Sequence, residues 1–168
     1  MHIDNQNIQI ELCEPIQDED ADRLRHFYYP NTNVFILAFA VNDESSFNDI
    51  KSSWLPEVKK YDSNIPILLL GTKIDLRTSA ANQDGLISTE MGEKLAENLG
   101  LSKYMECSSF TSTNLDQVIH EAARIGAVHS QEVQSRSGPI AVSKFMAKPN
   151  PSSVKLTSCI SKKKNHYF

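Results

Sequence analysis

The sequence predicts an α/β domain built on a mostly parallel sheet flanked by helices, and three observations carry that prediction. Two continuous apolar runs, "VFILAFAV" (Val34 to Val41) and "IPILLLG" (Ile65 to Gly71), suit strands covered on both faces. Segments with helical spacing lie between the strand candidates, the alternation expected when helices cross over a parallel sheet. At 168 residues the chain is long enough for one domain with a substantial core and short for two.

The elements follow in order. "NIQIEL" (Asn7 to Leu12) alternates apolar with polar residues, as a half-exposed strand does. After Val34 to Val41, the stretch Ser45 to Tyr61 places Phe47, Ile50, Trp54, Leu55 and Val58 at helical spacing, with Pro56 marking a kink or a break between two turns. Beyond Ile65 to Gly71, a helix over Ser88 to Leu99 begins with Ser-Thr and Glu90 and stops at Gly100, a residue suited to the left-handed position after a helix. "KYMECS" (Lys103 to Ser108) reads as a shorter strand. Asn114 to Val128 is helical in pattern and opens with Asn114 and, three residues on, Gln117, which resembles a capping box.

Periodicity averages out from Gln131 onward. Seven Ser, three Pro and scattered Lys over the last 38 residues predict a flexible tail, because such a composition buries too little apolar surface to offset ordering. The expected organisation is a domain over 1–130 and a basic Ser/Lys/Pro-rich tail over 131–168. Charge divides at the same place: the tail carries seven Lys and Arg against one acid, while residues 1–130 carry ten against twenty.

Cys13, Cys107 and Cys159 show no CxxC spacing, and no secretory signal accompanies them, so neither a disulfide framework nor a zinc site is expected. No apolar window approaches the ~18 residues of a spanning helix. The expectation is a cytoplasmic protein. The basic run Lys162, Lys163, Lys164 would allow peripheral docking on anionic lipid at a membrane inner face, with Cys159 as a second, acylated anchor; the plainer reading is a solvated basic tail. Nucleic acid is not expected as a partner, since no aromatic platform is interleaved with the lysines. The five histidines form no metal spacing, and no histidine is placed to activate Ser108 or Ser109 as a nucleophile.

The chemistry-bearing stretch is "PILLLGTKIDLR" (Pro66 to Arg77). An apolar strand stops at Gly71 and is followed at once by Thr72, Lys73 and Asp75, at the carboxyl end where open α/β sheets place their ligand loops. Cys107, Ser108 and Ser109 follow another strand and fall at the same rim, so the two loops can frame one planar ligand. A carboxylate such as Asp75 accepts from two adjacent N–H donors, which suits the N1–H and exocyclic amine of guanine and leaves adenine unpaired. The stem of Lys73 can lie along the base plane, and a backbone N–H near Ser109 can meet the guanine carbonyl oxygen.

Five segments in order, "DRLRHFYYP", "NVFILAFAV", "SSFNDIKSSWLPEV", "LLLGTKIDLR" and "YMECSSFTSTNLDQVIHEA", closely resemble the Rho family of small GTPases within the Ras superfamily, from about Asn5 to Val128. The resemblance implies a Ras-like P-loop NTPase fold with a six-stranded, mostly parallel sheet. It implies guanine binding by Thr72, Lys73, Asp75, Ser108 and Ser109, where the family has Ala at the position of Ser109 and uses the backbone N–H. It further implies GTP or GDP with Mg²⁺ as cofactor, signalling to the actin cytoskeleton, and a second-switch surface for regulators and effectors at Asp22, Arg23, Leu24, Arg25, Tyr28 and Tyr29.

The chain departs from the family in several places. It holds no G-x-x-x-x-G-K-[ST] phosphate loop and no first switch, and its first central strand is expected to be missing, which would leave "NIQIEL" and "VFILAFAV" without their common neighbour. Direct pairing of those strands, a strand supplied by a partner, and an unstable domain all stay open. Without gaps, the family's Asp-Thr-Ala-Gly-Gln-Glu falls on Glu14 to Glu19, so Gln17 replaces the phosphate-contacting Gly and Asp18 the water-positioning Gln. Glu14 is a doubtful metal ligand, and hydrolysis is expected to be impaired. The usual helical insert is shortened to "TSAANQDGL" between Arg77 and Ile87, and Cys159 is not in a C-a-a-X box. The leading expectation is a Rho-like signalling protein with guanine-recognition motifs; the alternative is a nucleotide-independent pseudo-GTPase module that binds Rho regulators or effectors.

Overall fold

The computed structural model describes residues 1–3, 6–15, 22–25, 27–78, 85–136 and 153–160. At the start, β1 (His2–Ile3) and β2 (Gln6–Asn7) form a small antiparallel ladder. The chain continues through β3 (Gln9–Cys13), α1 (Asp22–Arg25), β4 (Val34–Ala40), α2 (Glu44–Asp49), α3 (Leu55–Tyr61), β5 (Ile67–Thr72), α4 (Thr89–Asn98), β6 (Lys103–Glu106), α5 (Leu115–Arg136) and β7 (Ser153–Ile160). Five strands form one sheet in the order β3-β7-β4-β5-β6, and every pairing in it is parallel.

The unbroken apolar runs follow from burial on both faces. Phe35, Leu37 and Phe39 of β4, with Ile67 and Leu69 of β5, pack on Ile50, Val58 of α3 and Ala96 of α4. Val34, Ile36 and Leu68 face the other way, onto Ala122 and Ala123 of α5. Each such side chain contributes about 1.5–3 kcal/mol relative to exposure, so neither face of these strands has room for polar residues.

Local signals set most of the helix boundaries. Asp43 caps α2, its side chain accepting from the N–H groups of Ser45 and Ser46. Pro56 neither kinks nor breaks the segment beginning at Ser45: residues Ile50–Trp54 widen into a π-helical turn, and Pro56 falls in the first turn of α3, where its missing N–H has least cost. Ser88 caps α4 by accepting from the N–H of Met91, and Gly100 takes the left-handed position with φ of 62°. Asn114 does not act as the expected capping residue. It has φ of 60°, and its side-chain amide donates to the carbonyl of Glu106.

The C-terminal segment overturns the expected division of the chain. The boundary drawn at residue 130 falls inside α5, and Ser153–Ile160 is strand, not flexible tail. β7 occupies the place between β3 and β4 that the missing first strand was expected to leave empty, pairing Gln9–Cys13 on one side and Val34–Ala38 on the other. None of the three outcomes left open is needed, because the chain supplies the strand itself. The physical reason is visible in "SVKLTSCI": Val154 and Leu156 point into the α5 layer and Cys159 into the opposite one. Polar residues in the strand find partners, with Thr157 hydrogen-bonded to Thr32 at 2.7 Å and the Nζ of Lys155 donating to the carbonyl of Pro30. Cys159 is 1% exposed and burial pushes its thiol up to about 12, so it is not the accessible nucleophile that acylation needs. Lys162, Lys163 and Lys164 lie outside the described residues.

α5 lies close over β7 because of Gly126. A Cβ there would come within 2.7 Å of Val154 Cγ1 and 3.2 Å of Asn33 Cβ. Gly126→Ala is expected to lower stability by about 1–3 kcal/mol through overpacking, read as a lower denaturant midpoint with unchanged slope.

A second expectation concerns acid. The guanidinium of Arg124, and then the ammonium of Lys103, hold the Glu121 carboxyl down to about 2, against an ordinary value of 4.5. A group lowered in the folded state stabilises fully above its unfolded value, so this contribution is complete above pH 4.5 and fades as pH falls toward 2. Glu121→Gln should flatten that part of an acid titration by about 1 kcal/mol, a size limited by the solvent exposure of both cations.

Candidate functional site

The two loops singled out in the sequence meet at the carboxyl ends of β5 and β6. Thr72 closes β5, and its hydroxyl donates to the carbonyl of Phe39 at 2.9 Å, tying the strand end to β4. Lys73 then takes a left-handed conformation, with φ of 62°, which turns the chain outward into a 3₁₀ turn over Ile74–Arg77. The N–H of Leu76 donating to the carbonyl of Lys73 at 3.1 Å and the Thr78 hydroxyl donating to the carbonyl of Asp75 at 2.7 Å close that turn. The left-handed residue leaves Lys73 exposed and places Asp75 beside the second loop.

Backbone bonds join the loops. The N–H of Cys107 donates to the carbonyl of Gly71 at 2.9 Å, and the N–H of Ile74 to the carbonyl of Cys107 at 3.4 Å. Ser108 is completely buried, and its hydroxyl donates to Oδ1 of Asp75 while accepting from the N–H of Thr111 at 3.2 Å. This contact orients the carboxylate, whose remaining lone pairs are still able to accept from a ligand. Ser109 and Phe110 follow on the exposed side of the same loop, with Phe110 87% exposed. Burial raises the thiol of Cys107, so that residue is packing within the loop and no nucleophile.

A polar cluster behind the loops was not legible beforehand. Arg77, at the end of the 3₁₀ turn, bonds both carboxylate oxygens of Glu106 at 2.8 Å and donates from Nε to the carbonyl of Ile87 at 3.0 Å. The hydroxyl of Tyr104 completes the cluster on Glu106 at 2.6 Å, and its burial raises that phenol well above its ordinary range. Arg77 thereby ties the turn that carries Asp75 to β6 and to the start of α4. Its place one residue after "KIDL" gives no hint of this, because Glu106 is 29 residues away.

The proposed second-switch residues divide. Leu24 is exposed and Tyr28 half-buried, as a contact surface requires. Tyr29 corrects the sequence expectation: it is fully buried, its ring set edge-on against Phe35 at 5.2 Å and Tyr61 at 5.6 Å. Its hydroxyl donates to Glu57 at 2.5 Å, and burial raises the phenol far above its ordinary range. Arg25 also turns inward, pairing with Glu57 at 3.1 Å and lying over the ring of Trp54 at 5.1 Å. Glu57 is thus a clamp that the helical pattern alone does not reveal. Glu14 is exposed just past β3. The side chains of Asp22 and Arg23, and the residues Gln17 and Asp18, lie outside the described residues.

Comparison with known proteins supplies the remaining evidence. The model of the Ras family matches residues 1–126. The Ras-like GTP-binding protein RhoL of Drosophila melanogaster is 34% identical over 122 residues, which cover 73% of this chain and 63% of the fly protein. The chain therefore spans less than two thirds of the length of that relative.

Proposed function

The chain belongs to the Ras family of small GTPases, and from that premise we propose that it is a Rho-type signalling protein that recognises guanine nucleotides through Thr72, Lys73, Asp75, Ser108 and Ser109. The observation that carries this reading is the contact between the buried Ser108 hydroxyl and the Asp75 carboxylate across two loops at the sheet rim. A carboxylate oriented in that way accepts from the N1–H and amine of guanine, and it has no matching donors on adenine. Among the described residues no group of three or more His, Cys, Asp or Glu is placed to hold a metal ion. Mg²⁺ belongs in this reading to the nucleotide's phosphates.

Hydrolysis is proposed to be slow. Asp18 falls by sequence at the position where the family orients the attacking water with Gln, and a carboxylate beside an anionic phosphate is poorly suited to that role. Rho regulators and effectors, with a role in actin organisation and a cytoplasmic location, are the proposed setting. The exposed Leu24 and Phe27 near α1 favour a protein contact there.

Calorimetric titration with GDP, GTP and ADP in Mg²⁺ tests the reading. We expect GDP and GTP to bind, and ADP to bind on the order of 10²-fold more weakly or not at all. Equal affinity for ADP and GDP, or no binding of GDP by a folded chain, would overturn it.

A further inference from the structure

At the rim opposite Thr72 and Asp75, where β5 and β6 begin, the chain forms an open cleft of about 350 Å³. Lys59 in the last turn of α3 stands on one side of it, and α5 supplies the other with Arg124, Ile125, Val128 and His129. Residues 1–130 hold twice as many acids as Lys and Arg, yet this lining has three basic side chains and one acid, Glu132. Charge of that sign gathered in a concave surface attracts an anion.

The donors there are incompletely used. The Nζ of Lys59 donates to the carbonyl of Ser63 at 2.8 Å, which occupies one of its three protons. The hydroxyl of Ser102 accepts from the N–H of Ile67 at 3.2 Å, and among the described residues its own proton has no acceptor. Arg124 and Lys103 share the Glu121 carboxylate at 2.7 and 2.9 Å, a group that keeps one net positive charge. Lys59 adds a second and Glu132 removes one, so the cleft balances a single negative charge. Asp62, which follows α3, accepts from the N–H of Asn64 and does not line the cleft. Between the donors lies apolar surface, formed by the buried Ile65, by Ile125 and by Val128, which is 42% exposed. A ligand that covers it gains about 25 cal/mol per Å² of apolar area removed from water.

We propose that this cleft binds a small organic monocarboxylate, with Lys59 and Ser102 donating to the carboxylate and Ile65, Ile125 and Val128 covering an apolar body. A doubly charged phosphate ester exceeds the available charge, and a neutral ligand forgoes the charge-assisted bond to Lys59. The volume is at the small end of ligand sites, which limits the body to a single ring or a short branched chain. The cleft lies at the opposite ends of the strands from Asp75, so it is independent of the base-recognition reading.

The nitrogen-labelled full chain is titrated with benzoate, benzamide, acetate and phenyl phosphate, and its backbone amide shifts are followed by NMR. We expect benzoate to bind in the millimolar range and to move the amides of Ser102 and Val128, with those of Lys73 and Asp75 unmoved. Benzamide, which lacks the charge, and acetate, which lacks the body, should each bind about tenfold more weakly. Lys59→Gln and Val128→Asp should each weaken benzoate by about the same factor, while Lys59→Arg keeps its affinity. Both side chains reach solvent, and the amide spectrum shows that each variant remains folded. Benzamide or acetate equal to benzoate, phenyl phosphate tighter than benzoate, or benzoate affinity unchanged in both weakened variants overturns the proposal. So does the absence of benzoate binding by the folded parent, or shifts confined to the rim of Lys73 and Asp75. None of these outcomes bears on guanosine binding, which is measured separately and tests the base-recognition reading.

Discussion

A chain ending at Ser152 is expected to lose cooperative thermal unfolding and to regain it when a peptide spanning Ser153–Ile160 is added in excess. β7 pairs with five residues of β3 and five of β4, so deleting it leaves two strand edges unpaired inside the sheet. It also removes the buried side chains of Val154, Leu156, Thr157 and Cys159. Burial of each apolar side chain among them is worth roughly 1.5–3 kcal/mol, and a domain has a net stability of only about 5–15 kcal/mol. Further bonds are lost at the amino end of the strand, where the N–H of Lys155 donates to the Asn33 side chain at 2.7 Å and the N–H of Asn33 to the carbonyl of Lys155 at 2.9 Å. Circular dichroism on heating reads the first effect. Restoration by the peptide follows if the slot between β3 and β4 is specific; a truncated chain that unfolds cooperatively at the parent temperature would show that β7 is not a structural strand. The thiol of Cys159 reports the same event in the full chain, since it should resist alkylation until the strand leaves the sheet.

Replacing Asp75 with Ala is expected to reduce GDP affinity by about 100-fold or more while shifting the unfolding midpoint little. The asymmetry follows from position. Asp75 lies half-buried on a turn beyond the sheet, where backbone bonds at Cys107 and Leu76 still close the loops, whereas the base would lose both hydrogen bonds to the carboxylate. Ser108→Ala should be milder for binding, about tenfold, because the carboxylate remains and only its orientation is released. Yet it should cost more stability than Asp75→Ala, since it opens a void at the completely buried Ser108 and removes the acceptor of the Thr111 N–H. Guanosine titration with circular dichroism separates the two effects. Unchanged guanosine binding in Asp75→Ala would remove the basis for the proposed base site.

The meeting of the two loops proposed as a base site was legible because its parts lie close in sequence to strand ends. Thr72 to Asp75 follows a strand that declares itself by seven apolar or small residues in a row, and Cys107 to Ser109 follows another, so parallel topology alone brings them to one rim. The clamps behind the sites were not legible. Arg77 with Glu106, and Arg25 and Tyr29 with Glu57, join residues about thirty positions apart, and a charged residue on a helix or turn gives no sign of which partner it will meet. Tyr29 shows the difficulty in one residue: its neighbours suggested a contact surface, but its ring fills the core.

By itself the sequence determined the β4, β5 and β6 strands, the α4 helix with its Ser88 cap and Gly100 stop, and the chemical character of the two loops at the sheet rim, because each depends on residues within a few positions of one another. Only the tertiary structure decided what completes the sheet. "SVKLTSCI" has too few apolar residues to declare a strand against a Ser- and Lys-rich background, and its ordering depends on two edges, β3 and β4, that lie more than a hundred residues earlier in the chain. An unfilled slot lined by unpaired backbone and apolar side chains gives a modest segment its stability, and no local property of that segment records the slot.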